Sequence, residues 1–135
     1  MHLIVCLDDR NGMSFAGRRQ SMDRLLRARI LETVGERKLW MNGYSARQFE
    51  NLSENIIVDD CFLEKAGPDD YCFVENQDIT GQTDKFRIVI IYRWGRVYPS
   101  DVTFPAQIFS ARRKVSAIEF SGNSHDKITE EVYSL

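Results

Sequence analysis

Two short segments place hydrogen-bond donors directly before a predicted helix, a pattern that favours anion binding. Arg18 and Arg19 precede Ser21, the predicted N-cap of the first helix, while Ser124 and His125 open a predicted helix at the end of the chain. Free backbone N–H groups at a helix start attract phosphate, and arginine strengthens that attraction, so either segment could hold a nucleotide. Alternatively, both serines only cap their helices and the arginines are solvated.

The histidine content limits the hydrolytic chemistry that we expect. His2 and His125 are the two histidines of the chain. No nucleophile or second base stands at a recognisable spacing from His125, so a histidine-dependent nuclease is not favoured. A metallo-hydrolase needs clustered histidine and carboxylate ligands, and we therefore predict no metal site.

A third candidate site lies at the end of a predicted central strand. Residues 71–74 and 86–92 are rich in β-branched and aromatic side chains and predict two buried strands. The polar segment 75–85 between them must cross over outside the sheet. Because ligands of open α/β sheets bind beyond the carboxyl ends of the strands, Glu75 and Asn76 are candidate site residues.

The start of the chain predicts a strand and a loop. The apolar run from Leu3 to Leu7 predicts a buried strand that leads into a turn, with Gly12 in the left-handed conformation. Residues 13–20 show neither helical nor strand periodicity, so we expect an exposed, mobile loop.

A helix is predicted from Ser21 to about Gly35. Asp23 falls in its first turn, where a carboxylate is stabilised by the helix dipole. Arg29 projects into the apolar side of this helix, and we expect its head group to reach water. The residues spaced to face the core are Met22, Leu25, Leu26 and Ile30.

The middle of the chain alternates short strands with short helices. Strands are predicted at 39–41 and 55–58, and a helical turn at 61–66. Ser45 and Gln48 have the spacing of a capping box for a second helix, whose apolar side would be formed by Phe49 and Leu52. This alternation predicts a single α/β domain over residues 1–135, with a mostly parallel central sheet and helices on both faces.

The final third predicts a different arrangement. Residues 93–98 extend the central strand or form a hairpin, and the alternation within 108–120 indicates an edge strand. Ile128 and Val132 are four residues apart, which favours a terminal helix from Ser124 to Tyr133. Three aromatic residues that follow the central strand form a candidate contact surface for a protein partner: Trp94, Tyr98 and Phe104.

Composition excludes few partners. The formal charge of −2, from 18 basic and 20 acidic residues, gives no global attraction to nucleic acid or to a membrane. The three cysteines form no close pair and are expected to be reduced, mostly buried thiols of a cytoplasmic protein. The apolar start of the chain ends at Asp8, far short of a signal peptide or a membrane span.

Several segments together resemble the dihydrofolate reductase family. Residues 3–12 resemble its first strand and the beginning of its active-site loop, and Gly43 resembles its glycine between a strand and a helix. The closest match runs from Arg87 to Tyr92 and on to the ending Asp101-Val102-Thr103-Phe104-Pro105. The resemblance implies a dihydrofolate reductase-like fold. It also implies a reductase site in which Asp23 orients and helps to protonate a heterocycle, with Tyr92 as its hydrogen-bond partner.

The departures from that family fall on the site for its cofactor, NADPH. The resemblance places Gly43, Ser45, Glu75 and Asn76 there, and Glu75-Asn76 replaces the Gly-Gly pair of the family. A carboxylate adds bulk and negative charge where a pyrophosphate would approach the backbone, so we expect NADPH to be disfavoured. Tyr44 stands where the family has a basic residue that meets the 2'-phosphate of the cofactor. The apolar walls expected for folate are also changed, since Arg24 and Arg27 occupy their positions.

Three functions follow as expectations. The first is a divergent dihydrofolate reductase-like protein with a degraded dinucleotide site, which binds a small molecule or a protein partner in the remaining cleft. The second is an active NADPH-dependent reductase of a small heterocycle. The third is the binding of phosphate, a nucleotide or RNA through Arg18 and Arg19, although nucleic acid is the less favoured partner.

Overall fold

The computed structural model describes residues 1–49 and 54–135, and within them most strands belong to one central sheet. Its strands are β1 (His2–Leu7), β4 (Leu39–Met41), β5 (Ile56–Val58), β6 (Tyr71–Val74), β7 (Ile88–Arg93), β9 (Arg113–Phe120) and β10 (Ile128–Ser134). The sheet order is β5-β4-β6-β1-β7-β10-β9, parallel from β5 to β7 and antiparallel from there to β9. This confirms the predicted single-domain α/β architecture with a mostly parallel sheet.

Strand β1 lies in the middle of the sheet because its side chains are apolar on both faces. Leu3, Val5 and Leu7 are fully buried in one core cluster. Ile4 points into the other cluster, which also contains Leu26 and other residues of the first helix. Each buried aliphatic side chain of this kind stabilises the fold by about 1.5–3 kcal/mol. Two layers of core therefore hold the central strands, and the strand ends remain available for a site.

The first helix, α1 (Arg24–Val34), begins two residues later than predicted. Asp23, not Ser21, is its N-cap, and the Asp23 carboxylate accepts hydrogen bonds from the N–H groups of Leu25 and Leu26. The predicted end at Gly35 is confirmed. Leu26 and Ile30 are buried as predicted, but Met22 and Leu25 are 49% and 43% exposed because the later start turns them away from the core.

The remaining helices are short. They are α2 (Gly43–Ala46), α3 (Phe62–Lys65), a 3₁₀ helix (Thr80–Lys85) and α4 (Gln107–Ser110). The helical turn predicted at 61–66 is confirmed by α3. The capping box predicted from Ser45 is wrong, since Asn42 caps α2 by accepting from the Ser45 N–H group. Leu52, assigned to the apolar side of this helix, lies outside the described residues.

The segment predicted as a mobile loop forms a hairpin. Strand β2 (Gly12–Phe15) pairs with β3 (Arg18–Arg19) and with β8 (Val102–Thr103), and Met13 is buried. The left-handed residue of the preceding turn is Asn11, with φ of 63°, not Gly12. Pairing with the distant β8 orders this segment, and short-range periodicity gives no signal of that contact.

The predicted C-terminal helix is wrong. Strand β10 occupies that segment and pairs with both β7 and β9. Residues four apart, such as Ile128 and Val132, share a face in a strand as well as in a helix, so their spacing does not separate the two structures. The edge strand predicted within 108–120 is confirmed by β9, which is the last strand of the sheet.

Three predictions about individual side chains differ from the structure. The Arg29 head group, expected to reach water, binds Glu130 at 2.8 Å and lies 4.6 Å from the centre of the Phe120 ring, while the side chain remains 32% exposed. Trp94 and Phe104 are buried in the core and cannot form a contact surface. Of the three cysteines, Cys61 is exposed. No helix in the described ranges has the length and hydrophobicity needed to cross a membrane.

Candidate functional site

The hairpin β2–β3 reaches over the carboxyl end of β6 and inserts Arg19 against Glu75. Arg19 Nε donates to Glu75 Oε2 at 3.0 Å, and Arg19 Nη2 donates to Glu75 Oε1 at 3.2 Å. The pair is bidentate, and the side chains are 18% and 5% exposed, respectively. Charge-assisted contacts of this geometry are among the stronger hydrogen bonds in proteins. Arg19 is thus a fixed component of the site and not a solvated loop residue.

Helix α2 completes the cage around this ion pair. Ser45 Oγ donates to Glu75 Oε1 at 2.8 Å. The Tyr44 hydroxyl accepts the Arg19 backbone N–H at 2.9 Å, and the Arg19 guanidinium lies 4.3 Å from the centre of the Tyr44 ring. Arg19 Nη2 also donates to the Tyr44 carbonyl at 3.2 Å. Backbone, side chain and aromatic ring therefore all hold the hairpin against α2.

Asn76 adds a second connection between β6 and the hairpin. Its Nδ2 donates to the Gly17 carbonyl at 3.0 Å, and its Oδ1 accepts from Asn42 Nδ2 at 3.1 Å. The Gly43 N–H at the start of α2 donates to Asp60 Oδ1 at 3.0 Å. The structure thus brings together the four positions predicted to contact the cofactor. Each of these residues makes hydrogen bonds to other residues of the chain: Gly43, Ser45, Glu75 and Asn76.

The ion pair with Arg19 also determines the net charge at Glu75. An unpaired carboxylate would repel a phosphate, but the Arg19 guanidinium compensates the Glu75 charge. The hairpin residues Gly17 and Arg19 contact the two residues that follow β6, Asn76 and Glu75, respectively.

A second polar cluster forms around Asp23 at the start of α1. Asp23 Oδ1 accepts the Asn123 N–H at 3.0 Å, and Oδ2 accepts the Ser124 N–H at 2.9 Å. Burial opposes ionisation of Asp23, but hydrogen bonds from these N–H groups and from His125 outweigh it and hold its pKa well below the ordinary value. The Ser124 segment predicted to bind an external anion therefore binds the carboxylate of the chain's own Asp23.

The resemblance implied that Tyr92 is the hydrogen-bond partner of Asp23, but the structure does not show this contact. Its hydroxyl donates to Glu130 Oε2 at 2.9 Å, within the sheet. Burial raises the pKa of Tyr92 well above its ordinary value. The partner of Asp23 is His125, whose Nδ1 lies 3.1 Å from Asp23 Oδ2.

His125 links two parts of the chain that are far apart in sequence. Its Nε2 lies 3.0 Å from Ser21 Oγ and 3.1 Å from the Tyr98 hydroxyl, and its ring packs on Trp94 with a centroid distance of 4.5 Å. Ser21 and His125 are both predicted site residues, but their contact is unpredicted. About a hundred residues separate them, so local spacing carries no signal of it.

Cys6 on β1 is electrostatically coupled to both clusters. Burial raises the pKa of its thiol, the carboxylates of Glu75 and Asp23 raise it further, and Arg19 partly opposes them. Cys6 is therefore a neutral thiol in the region between the two clusters, and it has no features of an activated nucleophile.

Two cavities near these clusters differ in the charge of their lining residues. A cavity of about 280 Å³ lies between α1 and α2, and no carboxylate among the described residues pairs with its Arg27 or Arg47. Its lining residues are Arg19, Met22, Arg27, Arg47 and Gln48. A cavity of about 340 Å³ between α3 and the 3₁₀ helix is acidic, and its lining contains Asp60, Glu64 and Asp78.

A third cavity, of about 480 Å³, lies on the outer side of the hairpin. It is lined by Phe15, Ala16, Arg18, Arg19, Gln20, Tyr98 and Pro99. Within the ranges that the structure describes, no group of three or more histidine, cysteine or acidic side chains is placed to hold a metal ion.

Comparison with known proteins identifies the fold. No protein-family model matches the sequence, and no curated protein sequence matches it. Among solved structures, dihydrofolate reductase from Enterococcus faecalis, complexed with NADP(H) and RAB-propyl, superposes with a TM-score of 0.70. The superposition covers 98% of this chain and 94% of that chain, at 11% sequence identity. The chain therefore has a dihydrofolate reductase-like fold, as the resemblance predicted.

Proposed function

We propose that this chain is a binding domain that holds a small anionic molecule, without a nicotinamide dinucleotide, in a cleft of the dihydrofolate reductase-like fold. The observation that carries the proposal is the bidentate contact of Arg19 with Glu75, which fastens the hairpin across the end of β6. Arg19 lines both the basic cavity on the α1 side and the cavity on the outer side of the hairpin.

The residues present do not fit a dinucleotide. A pyrophosphate binds where backbone N–H groups are free and where no side chain hinders its approach. Here the Glu75 side chain stands at that position, and the Asn76 side chain makes hydrogen bonds to Asn42 and Gly17. The neighbouring acidic cavity would repel the phosphates, since its lining contains three carboxylates and no basic residue.

The basic cavity supports an anionic ligand. Arg27 and Arg47 present two guanidinium groups without a carboxylate partner among the described residues, while Arg19 is neutralised by Glu75. Unpaired guanidinium groups bind carboxylate or phosphate in forked geometry. A volume of about 280 Å³ matches a compact ligand, because pockets for drug-sized molecules start at about 300 Å³. A small di- or tricarboxylate, or a phosphorylated metabolite, has the required size and charge.

Titration calorimetry with citrate, inorganic phosphate and NADPH as probes tests this proposal. We expect citrate or phosphate to bind at micromolar to millimolar levels. Binding should weaken at least about tenfold in Arg27→Gln or Arg47→Gln, as loss of a charged hydrogen bond implies. Arg24→Gln is the matched control, because Arg24 lies on the same helix but donates to Asn123 and should leave affinity unchanged. Equal affinity in all variants, or no binding of either anion, would contradict the proposal.

The alternative function is an NADPH-dependent reductase of a small heterocycle, favoured by the similarity to a dihydrofolate reductase complexed with NADP(H). It predicts saturable binding of NADPH at micromolar levels by the unmodified chain. The proposal instead predicts no such binding, and Glu75→Gly with Asn76→Gly should increase NADPH affinity by removing the two side chains through which the end of β6 contacts the hairpin. Micromolar binding without these substitutions would establish the alternative.

A further inference from the structure

We propose that Ser21, His125 and Asp23 form an acyl-transfer site, in which Ser21 attacks a small ester. Ser21 Oγ lies 3.0 Å from His125 Nε2, and His125 Nδ1 lies 3.1 Å from Asp23 Oδ2. A hydroxyl, an imidazole and a carboxylate thus stand in the order that activates a serine nucleophile. This inference is independent of the proposed anion site, since it uses neither Arg27 nor Arg47.

The surroundings of His125 select the tautomer that the chemistry requires. Hydrogen bonds from the Asn123 and Ser124 N–H groups keep Asp23 ionised, so its carboxylate only accepts. The imidazole proton therefore lies on Nδ1, facing Asp23 and the Ser124 hydroxyl. Nε2 is then the acceptor, and the hydroxyls of Ser21 and Tyr98 lie 3.0 Å and 3.1 Å from it. His125 is 4% exposed and packs against Trp94, which fixes the ring orientation.

The cavity on the outer side of the hairpin adjoins this cluster at Tyr98. Its wall includes Tyr98, whose hydroxyl lies 3.1 Å from the same Nε2 atom as Ser21 Oγ. Ser21 is partly exposed and directly follows Gln20, another residue of the cavity wall. Phe15 and Pro99 supply apolar surface in the lining, so the substrate class that fits is an ester of a short apolar acid.

The reaction balances without a cofactor. Ser21 Oγ attacks the carbonyl carbon while its proton passes to His125 Nε2, and the carbonyl electron pair moves onto oxygen. The candidate donor to that oxyanion is the Tyr98 hydroxyl, which lies 3.1 Å from His125 Nε2. The intermediate then collapses, the bond to the alcohol breaks, and the alcohol oxygen takes the proton from His125. Water repeats the sequence on the acyl-Ser21 and releases the acid.

The opposite interpretation is that these contacts only tie the hairpin to the 122–125 turn. The two interpretations differ in the reactivity of Ser21 and not in the stability of the fold. A structural hydroxyl reacts no faster than any other serine, whereas an activated one forms covalent adducts with electrophilic phosphorus reagents.

Labelling with a fluorophosphonate probe, read by intact mass and peptide mapping, distinguishes them. We expect one adduct, on Ser21, and a burst of nitrophenol from p-nitrophenyl acetate. Ser21→Ala should abolish both, and His125→Gln should slow acylation by about 10²–10⁴-fold, the usual contribution of a general base. Tyr98→Phe should slow acylation while leaving labelling directed to Ser21. Ser110→Ala is the matched control, because its hydroxyl donates to the Gln107 carbonyl in α4 and takes no part in the proposed site, and it should change neither rate.

The melting temperature of each variant shows whether the variant is folded. Ser21→Ala removes a single hydroxyl, so we expect it to fold. Absence of an adduct on Ser21 in the folded, unmodified chain would overturn the proposal. So would acylation that is unchanged in Ser21→Ala or in a folded His125→Gln variant.

Discussion

Replacing Arg19 with alanine tests whether the hairpin is held by the ion pair. The substitution removes two hydrogen bonds to Glu75, one to the Tyr44 carbonyl and the stacking on the Tyr44 ring. The Glu75 side chain is 5% exposed in the unmodified chain. Among the described residues, Ser45 would remain as its side-chain hydrogen-bond donor.

The expected cost follows from this environment. Removing one partner of a buried ion pair destabilises a protein by about 3–5 kcal/mol, because the other charge is left without compensation. Arg19 is 18% exposed and Ser45 still donates to Glu75, so we expect about 2–4 kcal/mol for Arg19→Ala. Arg18→Ala is the matched control. Arg18 is exposed and has no ion-pair partner among the described residues, so its loss should change stability by no more than about 0.5 kcal/mol.

Urea denaturation of Arg19→Ala, Glu75→Gln and the double variant provides the assay. The free energies of unfolding of the unmodified chain and the three variants form a double-mutant cycle, and we expect a coupling of about 1–3 kcal/mol between the two sites. A cost below about 0.5 kcal/mol for Arg19→Ala, together with no coupling, would refute the reasoning. In that case, the hairpin would be held by β8 and not by Glu75.

Three further predictions follow from individual contacts. Hydrogen bonds to Asp23 and the Arg29 contact to Glu130 lower the pKa of both carboxylates despite burial, so their stabilisation is present above their unfolded pKa. The free energy of unfolding should therefore fall as pH drops below about 4, and a flat urea midpoint between pH 5 and about 2 would contradict this. Gly122→Ala should destabilise by about 1–3 kcal/mol in thermal unfolding, because the added Cβ overlaps the Asp23 carboxylate. Gly81→Ala, where the added Cβ meets nothing within 4 Å, should not. Among the three free thiols, Cys61 is exposed and should react fastest with a thiol reagent, and equal rates for all three would be inconsistent with the lower exposure of Cys6 and Cys72.

The central fold could be predicted because its signals are local. Continuous apolar runs identify β1, β6 and β7, and the alternation of strands with short helices indicates a parallel sheet. The terminal strand could not be predicted from Ile128 and Val132, because a spacing of four residues fits both a helix and a strand. Pairing with β7 and β9 determines its structure, and that pairing is a long-range contact.

The polar residues around the hairpin can be singled out from the sequence, but their contacts cannot. Glu75 and Asn76 directly follow a predicted strand and Arg19 precedes a predicted helix, and these positions mark them as candidates. The contact between Arg19 and Glu75 spans 56 positions, and the contact between Ser21 and His125 spans 104. Such contacts depend on the way in which the hairpin and the 122–125 turn fold over the sheet, which local periodicity does not encode.

Backbone amide hydrogen exchange in the hairpin, with and without NADPH, tests the central claim most directly. The Arg19 N–H donates to the Tyr44 hydroxyl and the Ala16 N–H to Asp101 Oδ2. We predict that the Arg19 amide is protected, that Arg19→Ala or Glu75→Gln speeds its exchange, and that saturating NADPH changes nothing in the unmodified chain. Rapid exchange at Arg19 without ligand, or protection that appears only when NADPH is added, would show that the hairpin leaves the strand ends open to a dinucleotide.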